Sequence, residues 1–386
     1  MPPGEPPTPP PSLHLADATG PGLVIIEGEA HLLFAFDIGL AIDLDEAERL
    51  LAPVGGVEGR ESIGTAQRTP EYFEFRPAPL RVARSRPGLA VAGRTLDPRI
   101  ECVMYDFGAV SLSYRLPIDG PLEGLVALAD ELYENAALLT HARREAEEIA
   151  TLIGSAVRRP LVSPLVEDYV VYHARRVETP GGLHECLRSS RQTVARVLRA
   201  ERGPLSEQEE AEAVATTLSY APADAVVIDW NAALVVQEPA HDILTVLEFA
   251  NVELLEVRFL DDRLDGMLDR TYDHALLGAG RHASRKADMR RIAALQMDSA
   301  LLYEAVNNAL KLLGDQYLAR VYRLAAQRFH LADWDQSIQR KVATLEGIYR
   351  KIADDRASRR MEVLEWIIIV LIAVSIVLPF VVSGAK

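Results

Sequence analysis

The chain has 386 residues, about half of them hydrophobic and a quarter charged, and a formal charge of −15. This is enough apolar material to bury a core and excludes disorder of the whole chain. The acidic balance argues against nucleic acid as the primary partner, because phosphate backbones are held mainly by Lys and Arg. Cys102 and Cys186 form no CxxC pattern, so they read as reduced and buried rather than as a disulfide or a metal pair. No cofactor is expected.

The amino terminus, MPPGEPPTPPPS, has seven prolines in its first eleven residues and neither a basic start nor an apolar run. Residues 1–22 therefore read as an extended, disordered tail and not as a signal peptide. Residues 23–238 mix strand and helix patterns and are expected to form an α/β domain. LVIIEG and AHLLFAFDIG read as two strands, and Asp43 or Asp45 caps a short helix in IDLDEAERLLAP. EYFEF, PLRVARS and IECVMYDFGAVSLSYRLPI supply further strands, with Asp106-Phe107-Gly108 a bend or bulge between two β-rich halves. Leu122, Leu125, Leu128, Ala129 and Leu132 fall at helical spacing, and helix continues from His141 to Val157. LVEDYVVYHARRV and ADAVVIDWNAALVVQ return to strand character. The echo between MYDFGAV and VIDWNAAL is too short to establish a repeat; it reads as coincidence or shared turn chemistry.

Beyond Pro239 the apolar positions fall three or four apart, which predicts a long-helix region over 239–360. Ile243, Leu247, Ala250, Leu254, Val257, Leu264, Leu268 and Tyr272 mark a first helix, broken near Gly278 to Gly280. A second runs roughly from Ala283 to Phe329. In the third, Ile338, Val342, Leu345, Tyr349 and Ile352 follow steps of 4, 3, 4 and 3, a heptad seam that points to self-association. A transmembrane helix is then expected from Trp366 to about Ala385, within 364–385, since Ile367 to Val382 carry no charge. Its anchoring residues would be Trp366, Ile367, Ile368, Ile369, Leu371, Ile372, Ser375 and Pro379. Arg350, Lys351, Arg356, Arg359 and Arg360 precede the run and only Lys386 follows it, which places the amino-terminal part in the cytoplasm. The fold expected is α+β: a β-rich mixed α/β head, long coiled-coil-like helices and one carboxy-terminal transmembrane helix.

No strong catalytic spacing emerges. Gly55, Gly56, Gly59 and Gly64 form a glycine-rich loop without a following Lys-Ser/Thr pair, and GAGRHA at Gly278 to Ala283 follows a helix, so neither reads as a phosphate cradle. Asp262, Asp265, Asp269 and Asp273 share one helical face, with Arg263 and Arg270 close by; a salt-bridged surface is favoured over a cation site. His184, Glu185 and Cys186 are contiguous, which is not the i, i+4 spacing of a zinc helix. Arg281, Arg285, Lys286, Arg290 and Arg291 form the most basic stretch, read as a surface or intersubunit ion-pairing patch, with anionic lipid or RNA as the alternative.

The run RRMEVLEWIIIVLIAVSI, through Leu364, Glu365, Trp366, Ile367, Ile368, Ile369, Leu371 and Ile372, resembles the closing signature of the "required for meiotic nuclear division" family. It departs at Ser375, where that family would have a glutamate. The resemblance implies a domain of unknown function, a membrane-anchored protein without catalytic activity, and oligomeric scaffolding; its eukaryotic members sit in the mitochondrial inner membrane and support translation there. The reading of the whole chain is accordingly a tail-anchored, self-associating scaffold with membrane lipid and further copies of itself as partners. The alternatives are an oligomeric single-span channel resembling CorA-type cation transporters and a membrane-anchored enzyme.

Overall fold

The computed structural model describes residues 22–54, 56–60, 77–276 and 316–383. Nine strands form one sheet in the order β11-β12-β13-β10-β1-β8-β7-β4-β3. In chain order these are β1 (Val24–Asp37), β3 (Val57–Arg60), β4 (Leu80–Ser85), β7 (Arg99–Met104), β8 (Ala109–Pro121), β10 (Glu167–Glu178), β11 (Thr217–Leu218), β12 (Ala225–Ile228) and β13 (Ala232–Val236). Two short ladders lie outside it, β2 (Ala41–Ile42) with β9 (Val157–Arg158) and β5 (Ala90–Val91) with β6 (Arg94–Thr95). Every sheet pairing is antiparallel except β10 with β13.

The two strands expected in LVIIEG and AHLLFAFDIG are one 14-residue strand, β1, whose register shifts around Glu27 and Gly28. Gly28 permits the bulge because a Cβ there would stand 2.6 Å from the His173 carbonyl oxygen. Asp106 to Gly108 form the tight turn of the β7–β8 hairpin. Gly108 has φ +110°, and a Cβ on it would meet the Gly39 carbonyl oxygen at 1.9 Å. The second half of the echo, around Asp229 to Asn231, is likewise the turn of a hairpin, β12–β13, which is the shared turn chemistry weighed above.

Side chains alternate across the sheet, so each strand feeds two cores. On the first face Leu32, Phe34 and Phe36 of β1, Leu112, Tyr114 and Leu116 of β8, and Cys102 and Met104 of β7 pack under helices. Those helices are α1 (Leu44–Leu51), α2 (Gly124–Leu132), α3 (Ala136–Leu152), α4 (Leu183–Ser189) and α5 (Arg191–Leu198), with α6 (Glu207–Ala213) packed on α5. Asp43 caps α1, accepting from the Glu46 N–H at 3.0 Å. Cys102 and Cys186 are both buried free thiols.

The second face carries Leu33 and Ala35 of β1, Tyr169 and Val171 of β10, and Val235 of β13, and it is covered by the long helix α7 (His241–Leu276). Against α7 pack α8 (Gln316–Arg328) and α9 (Leu331–Ser383). This arrangement corrects the expected fold. The long helices are not a coiled-coil stalk beyond a separate head: α7 is one wall of the second core, and the expected seam turns inward. Ile338 and Leu345 are buried and Val342 half-buried against that same core, because a stripe of spacing 3 and 4 serves an intramolecular helix pair as well as an intermolecular one. Tyr349 and Ile352 continue along the α9 backbone.

The expected membrane span is corrected as well: among the described residues no helix is long and apolar enough to cross a membrane. The anchoring residues lie on α9, which is 53 residues long. Trp366, Ile367, Ile368, Ile369, Leu371 and Ile372 are exposed on it, and Ser375 and Pro379 lie in its last turns. Leu364 to Ile372, the apolar stretch described with its side chains, rises about 14 Å at ~1.5 Å per residue, roughly half a hydrocarbon layer.

Candidate ligand-binding site

α7 packs across β10, β1 and the Ala109 end of β8, leaving the rest of that sheet face uncovered. There the alternation that gave apolar side chains under the helix gives polar ones. Leu33 and Ala35 of β1 are followed outward by His31 and Glu29, and Tyr169 and Val171 of β10 by His173 and Arg175. β8 contributes Ser113 and Arg115, β7 Glu101 and β4 Arg81. Strand pairing makes these neighbours, with His31 opposite Arg115, Glu29 opposite His173, and Glu101 opposite Ser113. The first turns of α7, through Leu244, Thr245 and Glu248, wall the space from above, and Glu238 stands at its edge. The cleft so enclosed holds about 470 Å³, within the range of small-molecule sites.

Ion pairs fix the floor. Glu101 takes Arg81 at 2.8 Å and Arg115 at 3.1 Å, and Glu29 takes Arg175 at 2.8 Å while standing 3.7 Å from His31 Nε2. Glu58 is paired with Arg99. His31 and His173 face each other with ring centroids 6.0 Å apart. His173 Nε2 donates to the Gln237 carbonyl at 2.9 Å, and Glu238 lies 3.9 Å from the same nitrogen. Burial, reinforced by His173, Arg115 and Arg175, drives the His31 pKa down to about 3, so this imidazole is neutral at physiological pH. Three buried nitrogens on the lining have no hydrogen-bond partner among the described residues: His31 Nε2, His173 Nδ1 and Arg115 Nε.

Residues 27–242 match the family model described as uncharacterized protein MJ0711, N-terminal domain. The chain belongs to this family. The MJ0711 N-terminal domain region spans the cleft strands and ends where α7 begins, so Leu244, Thr245 and Glu248 come from beyond it. The chain is also similar to the uncharacterized protein MJ0711 of Methanocaldococcus jannaschii, 20% identical over 235 residues, 60% of this chain and 71% of that protein. This is a family of unknown function, as the resemblance implied, but it is the MJ0711 family and not the meiotic nuclear division family. No solved structure matches the chain.

None of the residues singled out from sequence lines this cleft. The basic patch Arg281, Arg285, Lys286, Arg290 and Arg291, the GAGRHA segment, Gly55 and Gly64 lie outside the described residues. Gly56 and Gly59 belong to the approach to β3 and to β3 itself, where they take φ +89° and +106°. The aspartate face of α7 carries ion pairs: Lys341 of α9 bridges Asp261 and Asp265 at 2.8 and 2.6 Å. His184 lies 3.4 Å from the Ser219 hydroxyl, and the Cys186 thiol donates to the Pro180 carbonyl at 3.2 Å. Among the described residues no group of three or more His, Cys, Asp or Glu side chains could hold a metal ion. The cleft residues escaped because Glu29, His31, His173 and Arg175 recur every second position, the same signal as the solvent face of an ordinary strand. The usable hint was histidine at matching places in two strands, GEAHLLF and YVVYHARRV.

Proposed function

We propose that the chain is a binding protein for a small anion-bearing molecule, held in the cleft between the sheet and the start of α7. One observation carries the reading: three buried nitrogens left without partners converge on a single space. A buried donor without an acceptor costs about 1–3 kcal/mol, and a carboxylate or phosphate oxygen would satisfy Arg115 Nε and His31 Nε2 together. The ion pairs of Arg81 and Arg115 with Glu101 and of Arg175 with Glu29 fix the recognising groups before a ligand arrives. Calorimetric titration of the full chain with short carboxylic acids and with inorganic phosphate tests the reading. Arg115→Lys keeps a cation beside Glu101 and removes the Nε donor, so it should weaken binding by about tenfold. Heat of binding absent for every probe, or unchanged affinity in the variant, would overturn the proposal.

A second reading, self-association, rests on a different observation. Met361, Leu364 and Trp366 to Leu371 of α9 are each between 49% and 67% exposed. Together they present apolar surface on the order of 800 Å², about what each partner buries in a stable interface. The occupant proposed is a second copy of this chain laid along the same segment. Sedimentation of the full chain should give a dimer or larger, and Ile368→Asp with Leu371→Asp a monomer. A wild-type monomer, or wild-type chain that instead floats with phosphatidylcholine vesicles, would defeat this reading.

A further inference from the structure

The cleft asks for two complementary things from its occupant, and this narrows the ligand class; the inference rests on the binding reading above. Arg115 Nε is a nitrogen that can only donate, so what faces it must accept. His173 is the opposite case. Its Nε2 points at the Gln237 carbonyl at 2.9 Å, and a carbonyl can only accept, so the proton of the neutral ring sits on Nε2. Nδ1 is then a lone pair, buried in a side chain 5% exposed and without a partner among the described residues. What faces it must donate. Neutral His31, opposite Arg115 across the β1–β8 pairing and 6.0 Å from His173 by ring centroids, supplies either role by choice of tautomer.

Charge distinguishes an amine from a hydroxyl as the donating group. Arg81, Arg115 and Arg175 are committed to Glu101 and Glu29, and Glu58 to Arg99. Glu238 stands beside the His173 ring, 3.9 Å from Nε2, and is 59% exposed at the cleft edge. A cationic group next to the Nδ1 lone pair would have this carboxylate within range of attraction, whereas a hydroxyl would gain nothing from it. We infer that the cleft takes a small zwitterion of the amino-acid type, its carboxylate against Arg115 and His31 and its ammonium between His173 and Glu238. Side chains of modest size fit the remaining volume of a cleft of about 470 Å³, whose far wall carries Leu33, Val171 and Leu244.

The test is calorimetric titration of the full chain with pools of free amino acids, then with matched carboxylic acids lacking the amino group and matched amines lacking the carboxylate. The expected result is binding of at least one amino acid about tenfold or more tighter than its des-amino counterpart, the scale of one charge-assisted contact. Glu238→Gln, a substitution at an exposed position that leaves the core untouched, should lower that ratio several-fold without altering affinity for the des-amino acid. Equal affinity for acid and amino acid would overturn this inference while leaving the anion-binding reading intact. Binding of the amine alone, or of none of the probes, would overturn both.

Discussion

The Tyr322 hydroxyl of α8 donates to the Glu253 carboxylate of α7 at 2.5 Å, inside the second core. Burial raises the Glu253 pKa to about 7. The folded chain therefore holds a proton on this group that the unfolded chain releases at lower pH, and stability falls as pH rises from about 4.5 to about 7. Glu253→Gln keeps an acceptor for Tyr322 and removes the titration. The variant should lose this falling limb, a contribution of up to about 3 kcal/mol, measured by urea unfolding at a series of pH values.

His31 acts in the opposite direction. Its folded pKa, about 3, lies below the unfolded value of 6.5 because burial and the neighbouring cations penalise the imidazolium. The unfolded chain binds the proton first, so stability is lost as pH falls from about 6.5 towards 3. His31→Gln should flatten the acid limb while leaving the Glu253 limb in place. A variant with an unchanged acid limb would show that other groups carry it.

Asp229, fully buried at the β12–β13 turn, receives Arg199 of α5 at 3.0 Å and Arg328 of α8 at 2.6 Å. One carboxylate thus ties helices from both faces of the sheet to one turn. Asp229→Ala leaves two guanidinium groups, each mostly shielded from water, without this anion, and the expected cost is about 3–5 kcal/mol. Chemical denaturation measures it. Asp229→Glu, which keeps the charge but not the reach, should fall between wild type and Ala.

Gly108→Ala tests the β7–β8 turn. The position combines φ +110° with a Cβ site 1.9 Å from the Gly39 carbonyl oxygen, so the methyl group forces the segment at Gly39 away. A loss above about 2 kcal/mol is expected. Gly93→Ala is the control: φ is +69° there, but no atom lies within 4 Å of the Cβ site, so backbone strain alone costs about 1 kcal/mol.

Much of the secondary structure was legible because it is written in local spacing. Period-two apolar runs gave β1, β8 and β10, Asp43 gave the start of α1, and the spacing of Ile243 to Leu268 gave α7. These signals depend on neighbours a few residues apart, which is all that a strand or helix needs to choose its own shape. What the seam of α9 would pack against was not local information. Ile338, Val342 and Leu345 specify an apolar stripe, and a stripe accepts any complementary surface; the fold supplied α7 of the same chain.

The sequence by itself determined that the chain folds, where most of its strands and helices lie, and that it carries one long exposed apolar run near its end. Only the tertiary structure decided that α7 stops covering the sheet at His31, Arg115 and His173. These three come from strands scattered between residues 24 and 178 and meet only through strand pairing. A polar residue at an alternate strand position looks the same in sequence whether it faces water or an enclosed cleft, because the difference lies in what the rest of the chain places above it.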